Sequence, residues 1–308
     1  MTRRRPVPLR TRPRVSVVVP CYNYGRYLPD AVGSALDQSG LDVDVLIVDD
    51  CSTDDSAAVA LRLADADPRV RLLRHETNRG HIQTYNDGLA AVTGDYVVLL
   101  SADDLLTPDS LTRAVALMEA YPRVGLVYGR PASFATEPPP SEARRVSWST
   151  WRGEQWIERI CARGQNVISS PEAVLRRSVL NQIGGYDIAH PHAGDLLMWL
   201  RAAAVSDVGR VNGAVQAGYR LHEANMHLTR FAEPTTDLSE AGRAFEAFFR
   251  AEPALGRLRR TLERGLAREA AMIARAAHPG HGPARWQARA ISDAHLFVRS
   301  YRWRWWGT

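Results

Sequence analysis

The sequence predicts an α/β protein: a mostly parallel sheet with helices on both faces, followed by a helical C-terminal extension. Three observations support this. Short β-branched runs alternate with helical stretches as far as Tyr128. Three of those runs end in polar groups, at Pro20-Cys21-Tyr22-Asn23, Asp49-Asp50 and Asp103-Asp104, as expected where a parallel sheet binds ligands beyond its carboxyl ends. From about Thr236 the strand pattern stops, and Leu255, Leu258, Leu262, Leu266 and Ile273 recur at helical spacing, which reads as a packing stripe.

The elements follow in order. Val15–Val19 is an unbroken apolar run closed by Pro20, as in a strand buried on both faces. A helix is expected from about Tyr27 to Gln38. Val43–Val48 is a second strand. Ser52-Thr53-Asp54-Asp55 is rich in N-capping side chains and starts a helix reaching about Ala66. Val70–Leu73 is a third strand, and about Gly80–Val92 a helix. Tyr96–Leu100 is a fourth strand, running into Ser101-Ala102-Asp103-Asp104. A helix over about Pro108–Ala120 and a strand over Val124–Tyr128 complete the alternation. Residues 131–150, with Glu137-Pro138-Pro139-Pro140, read as an exposed loop. A helix from about Asp195 to Ala204 follows Gly184-Gly185-Tyr186-Asp187. The expected divisions are a disordered basic arm at 1–13, a ligand-binding half at 14–130, the loop at 131–150, a second half at 151–232 and a helical region at 233–308.

Composition narrows the function. With 308 residues, 45% hydrophobic and 24% charged, the chain is neither disordered nor a small disulfide scaffold. No apolar run approaches the ~18 residues of a spanning helix. All 39 basic residues are Arg, so Schiff-base lysine chemistry and phosphate-loop NTPases are excluded. The net charge of +5 is concentrated at the ends: residues 1–14 hold six Arg and no acid, and residues 251–308 hold eleven Arg and four acids. Residues 15–250 hold 22 Arg against 30 acids, a body suited to metal ions and polyols and not to nucleic acid. Three cysteines without a Cys-x-x-Cys spacing suggest no disulfide framework or zinc site. The basic N-terminus lacks an apolar segment after it, so a cytoplasmic setting is expected. The aromatic-basic tail Tyr301–Trp306 suits docking on protein or peripheral contact with the inner face of a membrane.

Two adjacent carboxylates after a buried strand repel unless a cation or donors relieve them. Asp103-Asp104 therefore reads as a Mg²⁺ or Mn²⁺ site that also takes a substrate diphosphate, with a helix cap as the plainer reading. Asp49-Asp50, with Asp50 ahead, can accept from a base N–H or ribose hydroxyls. Tyr22 can offer a flat face to a base, which favours a pyrimidine.

These residues lead to a family. Val15–Leu28, Val45–Ser56 and Asn78–Asp104 closely resemble the family 2 glycosyltransferases, inverting enzymes of the GT-A fold, a Rossmann-like sheet that binds nucleotide diphosphate-sugars. The resemblance covers about residues 14–225. It makes 14–130 the donor half and 151–232 the acceptor half. It implies a donor site including Pro20, Tyr22, Asn23, Asp49, Asp50, Arg79, Gly80, Asn86, Ala102 and Asp103. The family's metal-binding Asp-x-Asp falls on Ser101-Ala102-Asp103, so Ser101 departs from it and Asp103-Asp104 is the retained pair. Tyr85 also departs, where many relatives have Arg.

Further along, Gly184–Asp187 and Gly194–Arg201 resemble the family's acceptor segment, which implies Asp195 as general base. An acceptor hydroxyl (or amine) is a poor nucleophile and needs proton removal as it attacks. His222 matches a recurrent His that closes on the diphosphate or completes the metal site, and Arg220 is expected on the pyrophosphate as a charge-assisted donor. His190 and His192 read as acceptor-loop residues. The expected donor is a UDP- or dTDP-sugar ahead of a GDP-sugar. The acceptor is a small molecule, lipid or glycan. The Arg- and Ala-rich composition points to a high-GC bacterium and to natural-product or cell-surface glycan synthesis. A homodimer is compatible with the sequence. A dinucleotide oxidoreductase is disfavoured, because no Gly-x-Gly-x-x-Gly follows the first strand. Ser101 keeps a second reading open: a non-catalytic relative that binds a nucleotide sugar or a partner.

Overall fold

The computed structural model describes residues 1–139, 145–223, 225 and 234–277. The strands are β1 (Thr2–Arg4), β2 (Arg14–Cys21), β3 (Asp42–Asp49), β4 (Val70–Arg74), β5 (Tyr96–Leu99), β6 (Leu105–Leu106), β7 (Val124–Phe134), β8 (Ser147–Trp151), β9 (Val174–Arg176) and β10 (Asp207–Arg220). The helices are α1 (Leu28–Leu36), α2 (Ser56–Ala66), α3 (His81–Ala90), α4 (Ser110–Ala120), α5 (Gly153–Arg163), α6 (Arg177–Ile183), α7 (Gly194–Val205), α8 (Pro234–Ala251) and α9 (Arg259–Ala277), with a short 3₁₀ turn at Pro253–Leu258.

One sheet runs β1-β8-β10-β7-β9-β5-β2-β3-β4, with β6 paired to β10. The strands β4, β3, β2 and β5 are all parallel, and β10 is parallel to β7. The short β9 runs against both β5 and β7 and joins the two parallel parts. Side-chain alternation sorts the Val-rich strands onto two faces. Val17, Val19, Val45 and Ile47 pack in one core with residues of α1, α2 and α4. Val18, Leu46 and Val48 face the other, with residues of α3, α5, α7, α8 and α9. Both faces are covered, which is why these strands read as continuous apolar runs.

The C-terminal stripe packs as expected. Leu258, Leu262 and Leu266 are buried, and Leu255 and Ile273 lie against the same core. Contact with α5 is close because Gly265 has no side chain: a Cβ there would stand 2.3 Å from the Cys161 carbonyl oxygen. Cys21, Cys51 and Cys161 are free thiols. No helix among the described residues is long and apolar enough to cross a membrane.

Two expectations are corrected. The arm at 1–13 is not wholly disordered, since Thr2–Arg4 pairs antiparallel with β8, Thr2 opposite Thr150. The outer edge of β8 otherwise presents unpaired backbone groups, and any extended segment can satisfy them. The loop at 131–150 is shorter than expected at both ends. β7 continues to Phe134, and Trp148 on β8 is 1% exposed, so packing overrides the turn-rich composition. The helix expected to follow Ser52–Asp55 runs Ser56–Ala66 with Asp55 as its N-cap, and Ser52–Asp54 are bound to Asn23. The tail at Tyr301–Trp306 lies outside the described residues, as do 140–144 of the loop.

Candidate active site

The ends of β2 and β3 are tied together by side chains. Asn23 sits in the left-handed region at φ 60°, which Asn tolerates. Its Oδ1 accepts from the Thr53 amide at 2.8 Å and the Asp54 amide at 3.3 Å. Its own amide donates to Ser52 Oγ at 3.0 Å. Asn23, expected on the donor, thus holds the loop after β3. Tyr22 beside it is 46% exposed at the rim. Pro20, in β2, is partly buried.

Asp50 is occupied by protein. Its carboxylate accepts from the Arg79 amide at 2.7 Å, the Gly80 amide at 2.9 Å and His75 Nδ1 at 2.8 Å. Burial opposes ionisation, but these donors outweigh it and hold the carboxyl below its usual range. Asp50 therefore shapes the Arg79–Gly80 turn and is not the open acceptor for a base that the sequence suggests. Arg79 itself donates to Asp87 at 2.7 Å. Asp49 is fully buried, with Arg74 Nε 3.6 Å from Oδ2, and its Oδ1 has no hydrogen-bond partner among the described residues.

Asn86 is also turned inward. Its Nδ2 donates to the Tyr186 carbonyl at 2.9 Å and its Oδ1 accepts from the Tyr186 amide at 2.7 Å. With both ends of its amide engaged, it fastens the Gly184–Tyr186 segment.

The third rim follows β5. The Asp104 amide donates to the Ser101 carbonyl at 3.0 Å, closing a turn around the buried Ala102. Asp103 Oδ2 lies 2.9 Å from His222 Nε2. The His222 ring packs against Tyr24 and Tyr27, with centroids 5.4 Å and 5.1 Å away. Asp104 is 2% exposed, and its Oδ1 accepts from the Arg220 amide at 2.9 Å. Burial first, and then the charge of Asp103, raise the Asp104 carboxyl well above its usual range. Arg220 donates through Nε to the Asp103 carbonyl at 2.9 Å and through Nη2 to Asp30 at 3.1 Å. It is sandwiched between the rings of Tyr27 and Phe134, at 4.8 Å and 4.6 Å. The guanidinium expected on a pyrophosphate is thus a buried brace for the Asp103–Asp104 turn.

Sequence distance is therefore bridged at one point: Asp103, Asp104, Arg220 and His222 meet. Among the described residues no three His, Cys, Asp or Glu side chains form a ready-made metal cluster. The donor set fits a hard divalent cation held by Asp103 and His222 and completed by substrate phosphate oxygens, as such ions are often bound. Asp104 fits less well as a ligand, since one oxygen takes the Arg220 amide.

The second carboxylate centre is on α7. Asp195 lies in its first turn, partly open to solvent. The Tyr186 hydroxyl donates to Oδ1 at 2.8 Å, and the Ser170 hydroxyl donates to Oδ2. Enclosure by protein raises its carboxyl above the usual range, against the lowering effect of Ser170, Tyr186 and His81. Tyr85 lies within electrostatic reach of both centres: burial raises its phenol pKa, and the charges of Asp195, Asp103 and Asp104 add to the effect. Its ring meets Tyr186 edge-on at 5.4 Å. Glu172 is buried nearby. Its carboxyl is pushed up to about 7 by burial, with a contribution from Asp195.

Ser170, Glu172 and His75 were not legible as site residues. Tyr186 was visible within a motif but without a role. His190 and His192 lie in the segment just before α7, and His192 Nε2 is 2.5 Å from Asp237 of α8.

The family model described as glycosyl transferase family 2 matches residues 16–184, more than half of the chain. The chain belongs to glycosyltransferase family 2. An uncharacterized glycosyltransferase of Nostoc sp. is 37% identical over 115 residues, 37% of this chain and 36% of that protein. The succinoglycan biosynthesis protein ExoO of Rhizobium meliloti is 42% identical over 108 residues, 35% of this chain and 30% of that protein. The chain spans about a third of the length of these curated relatives. Among solved structures, S. aureus TarS 1-349 in complex with UDP-GlcNAc superposes with a TM-score of 0.65 at 18% identity, covering 94% of this chain and 91% of that one. Mannosyltransferase PcManGT from Pyrobaculum calidifontis, in complex with GDP-Man and Mn²⁺, gives 0.61 at 22% identity, covering 96% and 84%. The fold is that of the GT-A glycosyltransferases.

Proposed function

We propose that this chain transfers a sugar, with inversion, from a nucleotide diphosphate-sugar to a hydroxyl or amine of an acceptor. The observation that carries the reading is the pair of separated carboxylate centres: Asp103, held by His222, and Asp195, whose basicity is raised. An in-line displacement needs charge neutralisation at the leaving diphosphate and a base near the attacking group. Asp195 takes the acceptor proton at a carboxylate oxygen, while Tyr186 and Ser170 orient it. Asp103 and His222 would hold a Mg²⁺ or Mn²⁺ ion, with Asp104 buried behind them. When bound, that ion neutralises the diphosphate. Tyr22 takes the base on its exposed ring, and the Arg79–Gly80 turn shapes the wall beside it.

A UDP- or dTDP-sugar remains the favoured donor on the strength of Tyr22. The acceptor is a glycan, lipid or small molecule of a bacterial cell, with the protein working in the cytoplasm or against the membrane's inner face. The names of two relatives, in succinoglycan and teichuronic acid biosynthesis, support a cell-surface glycan. The test is calorimetric titration with UDP, dTDP, GDP and CDP, each with Mn²⁺ and with EDTA, followed by a nucleotide-release assay on the matching sugar donors. Metal-dependent binding of one nucleotide and its release from a donor support the reading. Binding of none by folded protein overturns it. Ser101, standing where the family's metal-binding motif has its first Asp, favours one alternative, a non-catalytic nucleotide-sugar binder. That alternative predicts binding without release.

A further inference from the structure

We propose that Ser170 is a positioning residue for Asp195, held against the carboxylate by a backbone turn that Glu172 closes. The inference rests on the reading of Asp195 as the base. Ser170 has φ 75°, in the left-handed region that residues other than Gly, Asn, Asp and His rarely adopt. Strained backbone of this kind persists only where surrounding contacts hold it. Two contacts do so here. The Ser169 amide donates to Glu172 Oε1 at 2.9 Å, and the Ala173 amide donates to the Ser170 carbonyl at 2.9 Å. The result is the Ser170 hydroxyl donating to Asp195 Oδ2.

Glu172 is costly where it stands. It is 2% exposed, and its Oε2 meets no hydrogen-bond partner among the described residues. What the structure gains from this residue is the closed turn. Two hydroxyls then meet Asp195, one on each oxygen, from segments 16 residues apart in sequence: Ser170 and Tyr186. Each carboxylate oxygen can accept twice, so both retain capacity for an acceptor proton. The other groups near Asp195 are His81 and Tyr85 of α3 and Glu172 itself. A hydroxyl donor stabilises the ionised carboxylate. Its loss must therefore make Asp195 bind its proton more tightly.

The test is the titration of the Asp195 carboxyl carbon by NMR in full-length protein labelled with ¹³C at Asp carboxyls, with Asp195→Asn used to assign the signal. Ser170→Ala removes the hydroxyl and keeps the strained backbone. Ser170→Gly removes the hydroxyl and the strain. Both are expected to titrate at higher pH than the parent. Glu172→Ala and Glu172→Gln remove the same charge, but only Gln keeps an acceptor for the Ser169 amide, so the Ala variant is expected to titrate at higher pH than the Gln variant. An unchanged midpoint in both Ser170 variants overturns the proposal, as does an identical midpoint in the two Glu172 variants. The titration needs no substrate, so it stands apart from the base assignment, which fails separately if Asp195→Asn still releases nucleotide at the parent rate.

Discussion

Asn86 and Tyr186, 100 residues apart, close a two-bond ring: the Asn86 amide donates to the Tyr186 carbonyl and accepts from the Tyr186 N–H, at 2.9 Å and 2.7 Å. The ring fits tightly, because a Cβ on Gly185 would stand 2.3 Å from Asn86 Oδ1. It pins the segment whose phenol holds Asp195. Replacing Asn86 with Ala leaves two backbone groups unpaired, a loss of about 1–3 kcal/mol. Denaturant unfolding is expected to show that loss, while nucleotide affinity in the folded variant stays at the parent value. A fall in affinity with unchanged stability would return Asn86 to the donor site.

Asp195 must be ionised to accept a proton. Its carboxyl is raised by enclosure, so the rate is expected to fall, on lowering the pH, at values above the ordinary carboxylate range. Asp195→Asn is expected to lower turnover about 10²–10⁴-fold with nucleotide binding intact. Nucleotide release across a pH series, with calorimetry on the variant, checks both.

Glu172 makes stability fall as pH rises. Its folded-state pKa of about 7 lies above the ordinary 4.5, so the folded protein binds this proton more tightly than the unfolded chain. That contribution is whole below about pH 4.5 and is lost as pH rises through about 7. The melting temperature of Glu172→Gln is expected to vary less than the parent's across this window. Parallel curves would show that Glu172 does not titrate there.

The metal reading is tested at His222 and Asp103. His222→Ala and Asp103→Asn are each expected to weaken Mn²⁺-dependent nucleotide binding by at least about tenfold. Binding in EDTA is expected to change little. Equal loss with and without metal would make the two residues part of the nucleotide wall.

The contact between α5 and α9 is tested at Gly265. A Cβ there meets the Cys161 carbonyl at 2.3 Å, a backbone atom that cannot swing aside. Gly265→Ala is expected to cost about 1–3 kcal/mol in unfolding experiments, despite the higher helix propensity of Ala. A more stable variant would show that the helices have room to part.

The amino-acid sequence by itself determined five strands of the sheet, β2, β3, β4, β5 and β7, and the polar rim at three of their ends, but not β8, β9 or β10. Val-rich runs such as Val15–Val19 can hardly do anything but lie between two layers, and the polar residues that end them then converge at the carboxyl edge. The pair Asp103-Asp104 was legible for the same reason, since it directly follows a strongly patterned strand, whereas the acidic start of α7 was legible as a site only through the family resemblance. Tertiary structure alone decided which polar side chains are taken up by partners inside the fold. Asp50 is taken by His75, Arg79 and Gly80, Asn86 by Tyr186, and Arg220 by Asp30 and the Asp103 carbonyl. It also decided that Ser170, with no local signal, reaches Asp195, and that Thr2–Arg4 becomes a strand. The reason is physical: burial pattern is written locally in the chain, whereas a hydrogen-bond partner is chosen by what the finished fold brings within about 3 Å.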